Sequence, residues 1–257
     1  MRILYMSRHD GRSCFLERRL MPVRHNDFGQ SIGPDLPGWA PRSLPPRRAL
    51  EGRFCTLEPL DAARHVDDLH AAYAQAPDGR DWTYLGIERP DDIDTTRAYV
   101  ERIAKSTDPM HFAVIDRQSG RAVGSLALMR IDPANGVIEV GTVNFSPLLK
   151  QTPMSTEAQY LLMKLVFDEL GYRRHEWKCD DFNEPSKRAA LRLGFQYEGR
   201  FRQAVIYKGR TRDTAWFSII DSEWPALRTA FERWLAPENF DAQGRQRMSL
   251  DKFRLPS

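Results

Sequence analysis

Cysteine is scarce in this chain. Its 257 residues include three, Cys14, Cys55 and Cys179, which lie far apart and form no CxxC pair. An odd, scattered set argues against a disulfide framework, so a reducing, cytoplasmic compartment is expected. Long apolar runs are missing too. No stretch of 18 apolar residues occurs, which excludes a membrane-spanning helix by hydropathy. The short apolar segment Ile3–Met6 is ended at once by Ser7, Arg8, His9 and Asp10, so it cannot form a signal-peptide core. The six histidines show no ligand spacing: His65 and His70 are five apart and no HxxxH occurs, so no metal is expected. Internal repeats at solenoid periods are also absent.

Charge is unevenly distributed. Residues 1–50 hold nine Arg, no Lys and four acids, a balance of +5, whereas residues 51–257 hold 29 bases against 31 acids. The basic character therefore belongs to the N-terminal segment. A nucleic-acid-binding domain needs a basic face on its folded part, so nucleic acid is not the expected partner.

What is present falls into segments. Residues 1–20 show no steady period and form either a disordered extension or an upstream misreading with Met21 as the start; mass spectrometry of the native protein distinguishes these. Residues 21–50 form an arm: positions 22–46 contain six Pro and three Gly, which prevents helix propagation and disfavours paired strand. The arm is either pinned by Leu36 and Trp39 or loose. Residues 51–236 carry the main domain, and residues 237–257 a polar tail.

Within the main domain, Gly52–Leu60 alternates as a strand. Helices are predicted over Asp61–Gln75 and Asp91–Ala104, with Asp61 as an N-cap. Strands His111–Asp116, Ala122–Ile131 and Val137–Phe145 are joined by the turns DRQSG and DPANG, so they pair antiparallel. Ala158, Leu161, Leu162, Leu165 and Val166 mark one face of a helix that Gly171 closes. Then come a strand at Arg173–Cys179, a helix at Asn183–Leu193 stopped by Gly194, strands at Phe195–Tyr207 and Thr211–Ile220, and a helix at Pro225–Leu235. The order predicts an α+β fold, a mixed sheet with helices on both faces.

Two junctions suggest chemistry. From Ser146 to Glu157 the chain passes from a strand into its best-patterned helix. The first helical amides have no partners inside the helix and sit at its positive end, a site suited to an anion. Lys150 adds a charge, Ser155 and Thr156 add hydroxyls, and Thr152 and Pro153 fit the N-cap and first helical positions. A well-capped structural helix explains the same residues. At the second junction, Asn183 caps its helix or offers its amide to a ligand.

The motifs IEVG (Ile138–Gly141), TPMSTEA (Thr152–Ala158), NEPSKRAALRLGF (Asn183–Phe195) and YKGRTRD (Tyr207–Asp213), in that order, resemble the GNAT superfamily of acetyl-CoA-dependent N-acetyltransferases. Within it, the ribosomal-protein acetyltransferases of RimJ/RimL type are the most similar branch. The resemblance spans about Gly52 to Ile220 and implies a sheet of about seven strands, mostly antiparallel, splayed at its middle. It implies acetyl-CoA between the strands ending at Phe145 and Cys179. Backbone groups of Val143 and Phe145 would hold the pantetheine, and Lys150, Gln151, Thr152, Met154, Ser155 and Thr156 the pyrophosphate. Asn183 and Ser186 would face the pantetheine and the sulfur.

Departures leave the chemistry open. Lys150, Pro153 and Ser155 stand where the family loop usually has Gln/Arg, Gly and Gly/Ala. The tyrosine acid of many relatives is Ala190 here, which leaves Ser186. The glutamate base of the ribosomal branch is Val205, which leaves Glu139 or Asp81. Trp82 and Tyr84 form an apolar acceptor wall or belong to the core. Arg202, in the basic hairpin with Arg200, Lys208, Arg210 and Arg212, attracts an acidic acceptor or merely protects a sheet edge. Cys55 and Cys179 read as core thiols, and His111 and His175 as structural. The expected reaction is direct attack on acetyl-CoA by the primary amine of a peptide N-terminus, an aminoacyl compound or a small molecule. The protein would be a monomer or homodimer. The alternative is an acyl-CoA-binding module with impaired catalysis.

Overall fold

The computed structural model describes residues 23–254. The expected extension at 1–20, the alternative start at Met21 and Cys14 lie outside them. The described residues divide into two compact units, one ending at Ala40 and one beginning at Pro41. In the first, β1 (Arg24–His25) pairs antiparallel with β2 (Ser31–Ile32). The Asn26 side chain closes their turn by accepting from the amides of Phe28 and Gln30 at 3.0 and 2.9 Å. This small hairpin corrects the expectation of an arm without paired strand: its prolines fall outside the four paired residues.

The second unit begins at Pro41, ahead of the expected boundary at residue 51. The Arg47 guanidinium donates to the carbonyls of Ala104 and Ser106, Tyr172 donates its hydroxyl to the Ser43 carbonyl, and Leu50 is buried. Residues 41–50 are therefore part of the body.

The strands of this unit are β3 (Leu50–Glu51), β4 (Cys55–Pro59), β5 (Met110–Asp116), β6 (Ala122–Asp132), β7 (Val137–Phe145), β8 (Arg174–Asp180), β9 (Gln196–Tyr207) and β10 (Arg210–Ile220). They form one sheet in the order β3-β4-β5-β6-β7-β8-β10-β9. All neighbours are antiparallel except β7 and β8. Eight strands replace the expected seven because Leu50–Glu51, just ahead of the predicted Gly52–Leu60 segment, folds back to pair with β4. The Glu157 carboxylate takes the amides of Arg53, Phe54 and Cys55, which turns the chain between β3 and β4.

Helices α1 (Ala62–Ala74) and α2 (Ile93–Ala104) cover one face. Asp61 caps α1 by accepting from the Arg64 amide, and Asp92 with Thr95 makes a reciprocal box at the start of α2. Helices α3 (Pro153–Lys164), α4 (Glu184–Leu193) and α5 (Trp224–Leu235) contribute to the opposite core. The period-two rule divides β5 between the two cores: Ala113 joins Val66, Leu69 and Val100, while Phe112 and Val114 join Leu162 and Phe231. Helix α3 continues as a π-turn over Leu165–Glu169 and ends at Gly171, whose φ of +65° suits glycine.

The expected polar tail is packed in part. Phe240 rests edge-on against Phe54 and Trp234, and Asn239 bonds the Trp234 and Met248 carbonyls. The helix α6 (Leu250–Arg254) then buries Leu250. Scattered apolar residues without a period anchor this segment, which a pattern search passes over.

Candidate active site

The site is a split in the sheet. β7 and β8 pair only from Val137 with Arg174 to Val140 with Trp177. Beyond that, β7 follows β6 as far as Phe145, and β8 follows β10 as far as Asp180. Two strand edges therefore face one another without pairing. The cause lies in β7. Ser125 opposes Asn144 and Ala127 opposes Gly141, so β7 carries one residue more than β6 across this interval. Thr142 sits in that bulge with φ +46°, an unusual value for a β-branched residue. A bulge bends and twists its strand, and here it turns β7 away from β8.

The split opens into a cleft of about 220 Å³. Thr142 and Val143 line it from β7, and Trp177 and Cys179 from β8. Asn183 and Ser186 line it from the start of α4, Tyr84 from the loop after α1, and Arg212 from β10. Asn183 caps α4 by accepting from the Ser186 amide at 3.2 Å, which leaves its NH2 group as a donor. The Trp177 indole donates to Ser186 Oγ at 2.9 Å. With an indole donating to that oxygen, the Ser186 hydroxyl proton is available to an acceptor in the cleft.

Glu139 and Lys178 also line the cleft. Lys178 Nζ lies 2.8 Å from Glu139 and 2.6 Å from Glu176, above the Trp216 ring at 3.8 Å. Arg130 approaches Glu139 at 3.4 Å. Burial pushes the Glu139 carboxyl above the ordinary range, and these cations only partly oppose it. Asp180 lines the cleft with both oxygens engaged, one by the Tyr207 hydroxyl and one by the Phe182 amide.

The loop before α3 departs from the sequence expectation in detail. Lys150 is ion-paired with Asp81 rather than standing free for an anion. Thr152 makes no side-chain cap; its hydroxyl donates to the Leu149 carbonyl, and the Ser155 hydroxyl donates to the Thr152 carbonyl, each at 2.7 Å. Thr156 is buried and accepts from Arg192 at 3.0 Å. Met154 and Phe145 pack their side chains against the core. What the loop does offer is backbone. Among the described residues, the amides of Gln151 and Met154 have no partner in the chain, and Gln151 is held at φ +59°.

Two acceptor-side expectations are corrected. Trp82 is 1% exposed and packs edge-on against Tyr73 and Tyr99, so it is core. Arg202 lies exposed on β9 and does not line the cleft; Arg212 on the paired strand does. Tyr84 does reach the cleft, with its hydroxyl donating to the Phe182 carbonyl at 3.0 Å. Lys178 was also missed. Its signal was a charge between Trp177 and Cys179 in a buried strand, a position that requires a carboxylate opposite. Cys55 and Cys179 are both buried, and burial pushes both thiols up, as core thiols require. Among the described residues there is no cluster of potential metal ligands and no helix long and apolar enough to cross a membrane.

Comparison with known proteins agrees with this geometry. Residues 55–196 match the acetyltransferase (GNAT) domain. A GCN5-related N-acetyltransferase from Brucella melitensis is 52% identical, with a TM-score of 0.84 over 85% of this chain and 99% of that one. An uncharacterized N-acetyltransferase of Bacillus licheniformis is 26% identical over 55% of this chain and 80% of its own length. A RimL ribosomal L7/L12 α-N-protein acetyltransferase, in complex with coenzyme A, shares the fold at 20% identity, with a TM-score of 0.55 over 68% of this chain and 99% of that one. The chain therefore belongs to the GNAT family of acetyltransferases.

Proposed function

We propose that the chain acetylates a primary amine with acetyl-CoA, in the manner of the RimJ/RimL branch. The acceptor is the amine of a peptide N-terminus, an aminoacyl compound or a small molecule. The observation that carries this reading is the pair of facing, unpaired strand edges with the Ser186 hydroxyl on their wall.

The residues fit the cosubstrate. An extended amide chain can add to a free strand edge through main-chain hydrogen bonds, and Val143 and Phe145 lie on such an edge. The unpartnered amides of Gln151 and Met154, at the positive end of α3, suit a diphosphate. Lys150 can join them once it leaves Asp81. The backbone of Thr152, Ser155 and Thr156 completes the loop, and the free NH2 of Asn183 faces the cleft. Acetyl-CoA supplies an activated acetyl group as a thioester.

Ser186 presents the proton donor that a leaving thiolate needs. Glu139 is the proton acceptor for the amine, directly or through water, and its raised pKa brings it nearer to neutrality, where a base is most effective. Lys178 holds that carboxylate in place. Tyr84 forms the opposite wall. Positioning two reactants in one cleft supplies much of the acceleration, so modest acid–base assistance suffices.

The test combines calorimetry of acetyl-CoA with coenzyme A release across an amine panel. Binding in the micromolar range with turnover of at least one amine class is expected. Binding without turnover in an assay sensitive to slow rates would assign the chain to the non-catalytic alternative, and no heat at all would remove the reading.

A further inference from the structure

Arg212 is the cleft cation that no carboxylate among the described residues answers. Lys178, on the same cleft, has Glu139 and Glu176. The other cations of the β9–β10 hairpin on this side are also occupied. Arg200 reaches Asp181 at 3.2 Å, Lys208 reaches Glu88 at 3.0 Å and the Trp82 carbonyl at 2.7 Å, and Arg210 reaches the Thr83 carbonyl at 2.9 Å. Arg212 makes no ion pair among the described residues, and its Nε–H is shielded from water without a hydrogen-bond partner. Its guanidinium lies 5.9 Å from the Tyr207 ring centroid, and Tyr207 is itself fixed by its bond to Asp180 at 2.7 Å.

A guanidinium held against a ring and left without an acid is short of its best partner, since its planar fork matches a carboxylate. Desolvation makes that vacancy more costly than the same arginine in water. The fixed negative charges nearby divide the cleft. Asp180 is engaged by Tyr207 and the Phe182 amide, and Glu139 by Lys178 and Arg130, whereas Arg212 is the cation left to meet an anion.

We propose that Arg212 recognises the acceptor: the physiological amine carries a carboxylate a few atoms away. This rests on the amine-acetylation reading above. The carboxylate is either the α-carboxylate of a free amino acid or the side chain of an acidic residue near a peptide N-terminus, and the two sources separate by experiment.

The test uses the full chain and two matched sets of acceptors. One set compares glycine, serine and alanine with their amides. The other compares C-terminally amidated peptides beginning Ser-Glu or Ser-Asp with Ser-Gln or Ser-Asn. Amine pKa is matched by expressing rates per neutral amine. In one set the acid is expected to exceed its amide at least tenfold in kcat/KM, mainly through KM. Arg212→Gln should bring that ratio near one, and Arg212→Lys should restore part of it. Acetyl-CoA affinity, measured by calorimetry, should change less than twofold in both variants. The proposal is overturned if wild type shows no preference, if the preference survives Arg212→Gln, or if acetyl-CoA binds and no acid is acetylated. Weaker acetyl-CoA binding in both variants would also overturn it by assigning Arg212 to the nucleotide. Failure of wild type to bind acetyl-CoA overturns both readings and is recognised by calorimetry before any acceptor is added.

Discussion

Glu157→Gln tests whether one buried carboxylate positions the start of α3. Glu157 is 3% exposed. One of its oxygens accepts from the Arg53 amide at 2.7 Å, and the other accepts from Phe54 at 2.6 Å and Cys55 at 2.8 Å. Glutamine keeps the shape. Its single carbonyl oxygen can serve the Phe54 and Cys55 amides, which places its NH2 against the Arg53 N–H. One charge-assisted bond is lost, two become neutral, and one donor is left unmatched. With charge-assisted bonds at about 1.5–3 kcal/mol and neutral ones at about 0.5–1.5 kcal/mol, the bonds alone lose about 3.5–6 kcal/mol. A domain of this size loses about 2–4 °C per kcal/mol, so the melting temperature should fall by at least roughly 7–24 °C. Urea unfolding gives the free energy and calorimetry the temperature. Because Glu157 lies in the first turns of α3, the KM for acetyl-CoA should rise as well. A melting temperature within 2 °C of wild type would refute the reasoning. Gly52→Ala is an independent check, because its Cβ would lie 2.5 Å from the same carboxylate and 2.8 Å from the Cys55 carbonyl; it should destabilise in the same direction.

Three further outcomes are expected. Asp81→Asn frees Lys150 from its ion pair and should tighten coenzyme A binding severalfold in calorimetry at low salt, an effect that Lys150→Ala should abolish; equal affinity in wild type and Asp81→Asn would count against Lys150 meeting the diphosphate. Ser186→Ala should lower kcat by about 100-fold or more while altering acetyl-CoA binding little, the range for loss of a positioned proton donor; an unchanged kcat would remove Ser186 from that role. His175 is fully buried, and burial lowers its pKa to about 4 from an ordinary 6.5. The unfolded chain then binds this proton more tightly than the folded one, so stability is complete above about pH 6.5 and declines as pH falls towards 4, by on the order of 3 kcal/mol for a shift of this size. Urea unfolding across that range in wild type and His175→Phe should show the slope flatten in the variant, and identical slopes would contradict it.

The elements of the fold were legible because their signals are local. The strand read at Val137–Phe145 and the stripe Leu161, Leu162, Leu165 each lie within one continuous segment, and the structure keeps both. The β3–β4 turn was not, since it depends on Glu157, about a hundred residues away. The site was legible to the level of its elements and less so by side chain. Ser186, Asn183, Glu139 and Tyr84 were named and do line the cleft. Lys150 was read as a free charge because its partner Asp81 belongs to another loop. Trp82 was ambiguous because a tryptophan beside a loop looks the same whether it faces solvent or, as here, Tyr73 and Tyr99. Arg202 and Arg212 could not be ranked, since the bulge between Arg212 and Thr214 shifts the hairpin register. The bulge at Thr142 had no local mark at all, because a threonine rarely takes positive φ and no glycine flags the position itself.

The four residue pairs joining β7 to β8 have a mechanical consequence. Together with the bonds from the Arg173 and Arg174 amides to the Gly136 carbonyl they form a short backbone seam between two leaves of the sheet, so the angle between those leaves has little backbone to stiffen it. Whatever fills the wedge acts as a keystone: amide protons along Gly141–Phe145 and Lys178–Asp180 should slow their exchange with solvent together, and the leaves should then unfold as one body.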